Sequence, residues 1–183
     1  LVQAYCEQEP SIDALIGLFN QLFQGPFNTV LIKGDDEPIY LPADQEHPHH
    51  RVIFAHGFYA SALHEISHWC VAGEKRRQLV DFGYWYKPDG RSAEEQAEFE
   101  KVEVRPQAFE WILSVAAGHR FHFSADNIAS NMSASDLFQN NVLMTVHELL
   151  DQGLPERMAM LVDALLKQTG RGALSKAEFK LTP

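Results

Sequence analysis

The run His64-Glu65-Ile66-Ser67-His68 is the tightest constraint in this sequence. Two histidines four residues apart act on one ligand when they sit on a helix. Four residues make one turn plus about 40°, so both imidazoles project from one face. There they can converge on a single ion about 2 Å from each ring nitrogen. Leu63, Ile66 and Trp69 fall on the other side and suit a core, whereas the small Ala60 and Ser67 lie with the histidines and are expected to leave room above an ion. A fold that accepts this helix must bury one side of it and keep a polar space open on the other.

Two histidines are too few for a tight site, so a third ligand has to come from elsewhere. At helical spacing Gln96, Glu100, Glu103, Gln107 and Glu110 form a polar stripe beside an apolar one of Val102, Phe109, Ile112 and Leu113. Most of that polar stripe is expected to face solvent. Glu103 is the exception, because it stands between Val102 and Val104 and three residues before Pro106. It is the first choice for third ligand, with Glu100, one turn earlier, in reserve. Cys70 falls on roughly the opposite side of the helix from His68 and reads as a buried thiol. With Cys6 as its one possible partner and no secretion signal in view, both thiols are expected to stay reduced.

The remaining histidines carry weaker expectations. His47, His49 and His50 lie in the turn-rich "EHPHH" and are expected at the surface; His56 either lines a pocket or ends a strand. His119, His122 and His147 have no partner spacing and read as structural.

Around the motif, strands come early and helices late. "SIDALIGLFNQLF" places Ile12, Leu15, Ile16, Phe19, Leu22 and Phe23 at helical spacing. Extended segments are expected at 29–34, 38–43 and 51–57, with a fourth, "DFGYWY", at 81–86. The motif helix lies between the last two and should stop near Gly73. Ser92 and Glu95 form a capping box that opens a helix, and Pro106 should break it or start the next. Helices follow at about 135–152 and 155–168, with a short one after Ser175. The order points to an α+β fold in a single domain: a small mixed β-sheet, the metal-binding helix and several packed helices.

The chain has 183 residues and a net charge of -10, which argues against nucleic-acid binding and is compatible with a cationic substrate or partner. No segment is long and apolar enough to cross a bilayer, and the cytoplasm is the expected location.

These residue types leave two chemistries open. With zinc, Glu65 would take a proton from bound water, which is the metallopeptidase reading and the usual one for this motif on a helix. With iron(II), the same three ligands leave neighbouring positions for dioxygen and substrate, which makes an oxygenase.

Three long blocks shift that balance. "LIKGDDEPIYLPAD", "RVIFAHGFYASALHEISHWCVAGEKRRQLVDFGYWYKPDGR" and "FEKVEVRPQAFEW" closely resemble the bacterial elongation factor P hydroxylase family. The likeness covers nearly all of residues 13–127, continues more loosely through "GLPERM" and fades toward the C-terminus. The resemblance implies hydroxylation of the elongation factor P lysine that already carries a β-lysyl group, by a two-histidine, one-carboxylate metal centre on a zincin-like α+β fold. By position it assigns His64, His68 and Glu103 as ligands of one divalent ion, with iron(II) the first choice and zinc possible as purified. Glu65 matches the motif glutamate and is the candidate catalytic residue. The implied partners are β-lysylated elongation factor P and dioxygen, with no nucleic acid and no membrane. The arm of that substrate carries ammonium groups, so Asp35, Asp36 and Glu37 of the "GDDE" loop are candidate substrate-binding residues.

Overall fold

A computed structural model describes residues 10–84, 89–124 and 133–181. Helix α1 (Ile12–Phe23) is capped by the Ser11 hydroxyl and buries Leu15, Phe19 and Phe23. The Asn20 side chain accepts from the Leu31 N–H at 2.8 Å and ties this helix to the first strand. Strands β1 (Thr29–Lys33), β2 (Ile39–Leu41) and β3 (His50–Phe54) form one sheet in the order β1-β3-β2. β1 runs parallel to β3 and β2 antiparallel, so the sheet is mixed, as expected.

Helix α2 (Tyr59–Val71) carries the motif and packs against β3 and helix α3 (Ala93–Ala117). Helices α4 (Asp136–Gln152) and α5 (Glu156–Thr169) pack on the other flanks of α3. Buried apolar residues from Leu15 to Phe179 make one core. Five helices and a three-stranded mixed sheet give the expected α+β class. Among the described residues no helix is long and apolar enough to cross a membrane.

Trp69 anchors the motif helix. The rings of Phe19, Phe23 and Phe27 meet it edge-on or tilted at 5.2, 4.9 and 6.0 Å, and the Arg157 guanidinium lies 4.6 Å above it. Arg157 also donates to the carbonyls of Trp69, Cys70 and Ala72 at the C-terminal end of α2. The Trp69 and Cys70 carbonyls lie in the last turn, where intrahelical donors run out, and the Ala72 carbonyl also accepts from Arg77 Nη1 at 2.8 Å.

Three expectations are corrected here. α2 stops at Val71, near Gly73 as expected, but the glycine does not serve as its cap; the cap is Ala72 in extended geometry, and Arg157 and Arg77 satisfy the last carbonyls instead. Residues 81–84 of "DFGYWY" are not a strand, and Trp85 and Tyr86 lie outside the described residues. Val80–Gly83 form a short 3₁₀ turn in which Asp81 and Phe82 take φ of 47° and 58°. Two tertiary contacts hold that conformation. Asp81 Oδ1 accepts from the Tyr40 N–H at 2.8 Å, and the Phe82 ring stacks on Tyr40 at 4.2 Å. Pro106 neither breaks nor begins a helix, since α3 runs through it for 25 residues. A proline inside a helix costs about 3 kcal/mol, a cost offset here by the burial of Pro106 itself, of nearly all of the stretch from Gln107 to Ala117, and of Phe99 and Glu103 before it.

Candidate metal centre

α2 and α3 meet side by side, and two contacts fix their relative direction. His64 faces Glu110 and His68 faces Glu103, so the helices run antiparallel. His64 Nε2 and His68 Nε2 are 3.2 Å apart, and His68 Nε2 is 3.2 Å from Glu103 Oε1. The three ligand atoms of His64, His68 and Glu103 lie within 4.8 Å of one another. One ion at about 2.0–2.1 Å from two donors separates them by roughly 2.8–3.4 Å across angles between octahedral and tetrahedral, and the two separations of 3.2 Å fall in that range.

The donor chemistry fits an ion as well. Glu110 Oε2 lies 2.8 Å from His64 Nδ1. A carboxylate only accepts, so Nδ1 carries the proton and the neutral ring directs the Nε2 lone pair at His68. Glu103 is 1% exposed, and its Oε1 has no hydrogen-bond partner although it is buried. An unpartnered buried carboxylate oxygen is costly; an ion between the three side chains would relieve that cost and the facing nitrogens together. Without an ion, protons take its place. Burial disfavours a charged His64 ring, but the Glu110 carboxylate outweighs it and raises the pKa to about 10. Burial likewise works against ionised Glu103, and His68 and His64 outweigh it to lower its pKa.

The polar stripe on α3 corrects an expectation. Rather than facing solvent, Gln96, Gln107 and Glu110 are buried along with Glu103. Gln107 Nε2 reaches Glu103 Oε2 at 3.5 Å, and its Oε1 accepts from the Ser124 N–H at 3.2 Å. Glu100 is occupied elsewhere, accepting from the hydroxyl and N–H of Ser135 at the start of α4. Ser67 leaves no room above an ion, since it is buried and donates to the Leu63 carbonyl; the open space lies by Ala60.

Two cavities reach the centre. One of about 210 Å³ is bordered by Glu65, His68, Asp81, Tyr84, Val102 and Glu103. The other, about 450 Å³, is bordered by His64, Glu65, Arg91, Glu110, Arg120 and His122. Glu65 and Pro38 line both. Burial pushes the Glu65 carboxyl up, against the opposing pull of His64 and His68.

Asp35, Asp36 and Glu37 sit exposed in the β1–β2 loop, and none lines either cavity, although the next residue, Pro38, lines both. Asp36 Oδ1 is 3.9 Å from His56 Nδ1, and His56 is exposed outside both cavities. His47 pairs with Asp44, His49 with Asn28, and His50 accepts from the Ala43 N–H. His122 borders the larger cavity rather than serving the core alone. Cys70 is a buried free thiol, and Cys6 lies outside the described residues. Glu110 and Asp81 were not anticipated. Glu110 had a signal, two turns from Glu103 and between Phe109 and Trp111; Asp81 had none.

Comparison with known proteins identifies the family. The profile of the family described as Elongation factor P hydroxylase matches residues 18–179. The Elongation factor P lysine hydroxylase of Haemophilus influenzae is 54% identical over 158 residues, covering 86% of this chain and 89% of that protein. The match spans the whole of α2 and α3, which hold the two histidines and both buried carboxylates. The chain therefore belongs to the elongation factor P hydroxylase family.

Proposed function

We propose that this protein hydroxylates the β-lysyl-lysine arm of elongation factor P, using one divalent ion held by His64, His68 and Glu103. The observation that carries the reading is the buried Glu103 Oε1, without a hydrogen bond and 3.2 Å from His68 Nε2, in a chain of this family. The Haemophilus influenzae relative, an elongation factor P lysine hydroxylase, supports the choice of substrate protein and reaction.

Iron(II) bound there would leave neighbouring positions for dioxygen and substrate, the chemistry that hydroxylation requires. In the balanced reaction one oxygen atom enters a carbon–hydrogen bond of the arm. The other leaves as water, with two electrons and two protons from an added reductant.

The chain's own residues have separable tasks. Glu110 holds the proton on His64 Nδ1 and so keeps Nε2 free to ligate. Gln107 fixes Glu103 Oε2 and leaves Oε1 free. Glu65, raised by burial and open to both cavities, can give or take a proton at its carboxyl oxygen beside the reacting atoms. The exposed Asp35, Asp36 and Glu37 attract the cationic arm from outside. Their pairs are solvent-screened, so each contributes little. Replacing Asp35 and Asp36 together by Asn should raise KM modestly and leave metal content unchanged.

The peptidase reading draws no support from the family assignment. With a net charge of -10 the protein is assigned no nucleic-acid partner, and the cytoplasm, where elongation factor P works, is its proposed location. The test is metal analysis of anaerobically purified protein, paired with intact mass of β-lysylated elongation factor P under air and under anaerobiosis. The reading requires oxygen-dependent gain of one oxygen atom with iron(II), and inhibition by excess zinc. Undiminished turnover with zinc under strict anaerobiosis would refute it.

A further inference from the structure

We infer that the two cavities have different occupants, and that the narrow one bounded by Asp81, Tyr84 and Val102 is the slot through which the cationic arm of the protein substrate reaches the metal centre. The inference rests on the function proposed above and names the route and a residue that selects the substrate.

Size separates the cavities first. Pockets for small molecules run from about 300 to 1,000 Å³. The larger cavity, near 450 Å³, is in that range and the smaller, near 210 Å³, is below it. A narrow slot suits a linear side chain better than a compact cosubstrate.

Charge separates them next. Among the described residues the narrow cavity is bordered by Glu65, Asp81 and Glu103 and by no lysine or arginine, whereas the wide one has Arg91 and Arg120 beside Glu65 and Glu110. With Glu103 given to the ion, two carboxylates remain, and they are placed in sequence. Asp81 is exposed at the mouth, and Glu65 is half-buried within. An arm bearing ammonium groups meets one carboxylate on entry and another beside the metal ligands, while the arginines repel it from the other cavity.

The mouth also suits a folded partner. Leu79, Val80, Tyr84 and Val102 are large apolar residues between 39% and 53% exposed. Leu79 and Val80 immediately precede Asp81, and Tyr84 and Val102 line the slot itself. Three contacts hold this rim in place. Arg76 donates to the Phe82 carbonyl at 2.8 Å, its guanidinium lies 4.0 Å over the Tyr84 ring, and Asp81 Oδ1 is bound to Tyr40. A fixed apolar rim around an acidic slot fits a protein that presents one extended cationic side chain from its surface.

The test uses the metal-loaded full chain and β-lysylated elongation factor P, with affinity measured by calorimetric titration and turnover by intact mass. Asp81→Asn removes the charge and keeps an oxygen for the Tyr40 N–H. It should weaken binding and raise KM roughly two- to fivefold with kcat and bound metal unchanged. Val102→Trp, at an exposed position on the slot, should lower kcat/KM roughly ten- to hundredfold. Ala60→Trp, at an exposed position on the wide cavity, should lower it less. Equal affinity and KM for Asp81→Asn and the native protein, or a larger loss from Ala60→Trp than from Val102→Trp, overturns the route. If the native protein binds the substrate better than Asp81→Asn but adds no oxygen, the route stands and the proposed reaction fails.

Discussion

Glu110 Oε2 accepts the proton on His64 Nδ1 at 2.8 Å, although 46 residues separate the two in the chain. The contact joins α2 to α3 about two turns beyond Glu103, so the helix that supplies the third ligand also orients the first. Removing such a partner from a metal-ligating histidine typically costs ten- to a hundredfold in affinity. Glu110→Ala should therefore retain the fold and lose metal affinity by about that factor in competition with a chelator. Glu110→Gln, which keeps an accepting oxygen, should lose less. Equal affinities for both variants and the native protein would remove Glu110 from this role.

Metal should also stabilise the protein. An ion that binds only the folded state adds about 2.7 kcal/mol at a hundred times its dissociation constant. Thermal unfolding of the native protein should shift upward as iron(II) or zinc is added, and that of His68→Ala should stay nearly unmoved. A similar shift in both would place the ion elsewhere.

Arg157 ties α5 to the end of the motif helix through three carbonyls and the face of Trp69. Hydrogen bonds to a charged group contribute about 1.5–3 kcal/mol each, not additively when they share a donor. Arg157→Met keeps much of the packing and should destabilise by about 2–4 kcal/mol in urea melts. A change within error would mean that water caps α2 equally well.

The spacing of His64 and His68, and the β-branched runs that became β1 and β3, were legible because each depends on a local period. Glu103 was legible for a related reason, as a charge set between two valines. Burial of the rest of its stripe was not, since a polar helix face is solvated or buried according to what packs on it, and here that is α2 with its histidines. The stretch from Asp81 illustrates the same point. Its aromatics suggest a strand, yet Asp81 takes the Tyr40 N–H and Phe82 stacks on the Tyr40 ring, and these contacts across some 41 residues bend the backbone. Pro106 reads as a break locally and is overruled by its own burial and that of the stretch that follows it.

Alkaline pH should weaken the fold. Burial pushes the Tyr40 and Tyr59 phenols and the Cys70 thiol up to about 12. In an unfolded chain such groups titrate near 8.5 to 10. The folded state holds their protons more tightly, so the stabilising contribution is complete below the unfolded values and is lost as pH rises toward 12. Melting temperature should fall across that window, and less steeply in Tyr59→Phe. The same burial predicts slow alkylation of Cys70 at neutral pH until the protein unfolds. A flat profile from pH 9 to 11 would contradict these assignments.

The most direct test of the account compares native protein with Glu103→Ala, both anaerobically incubated with iron(II) and then mixed with dioxygen, a two-electron reductant and β-lysylated elongation factor P. Intact mass of the substrate is the readout. The account predicts a gain of one oxygen atom with the native protein and none with the variant, which should also retain little iron. A full gain with Glu103→Ala, or no gain with iron-loaded native protein, would contradict it.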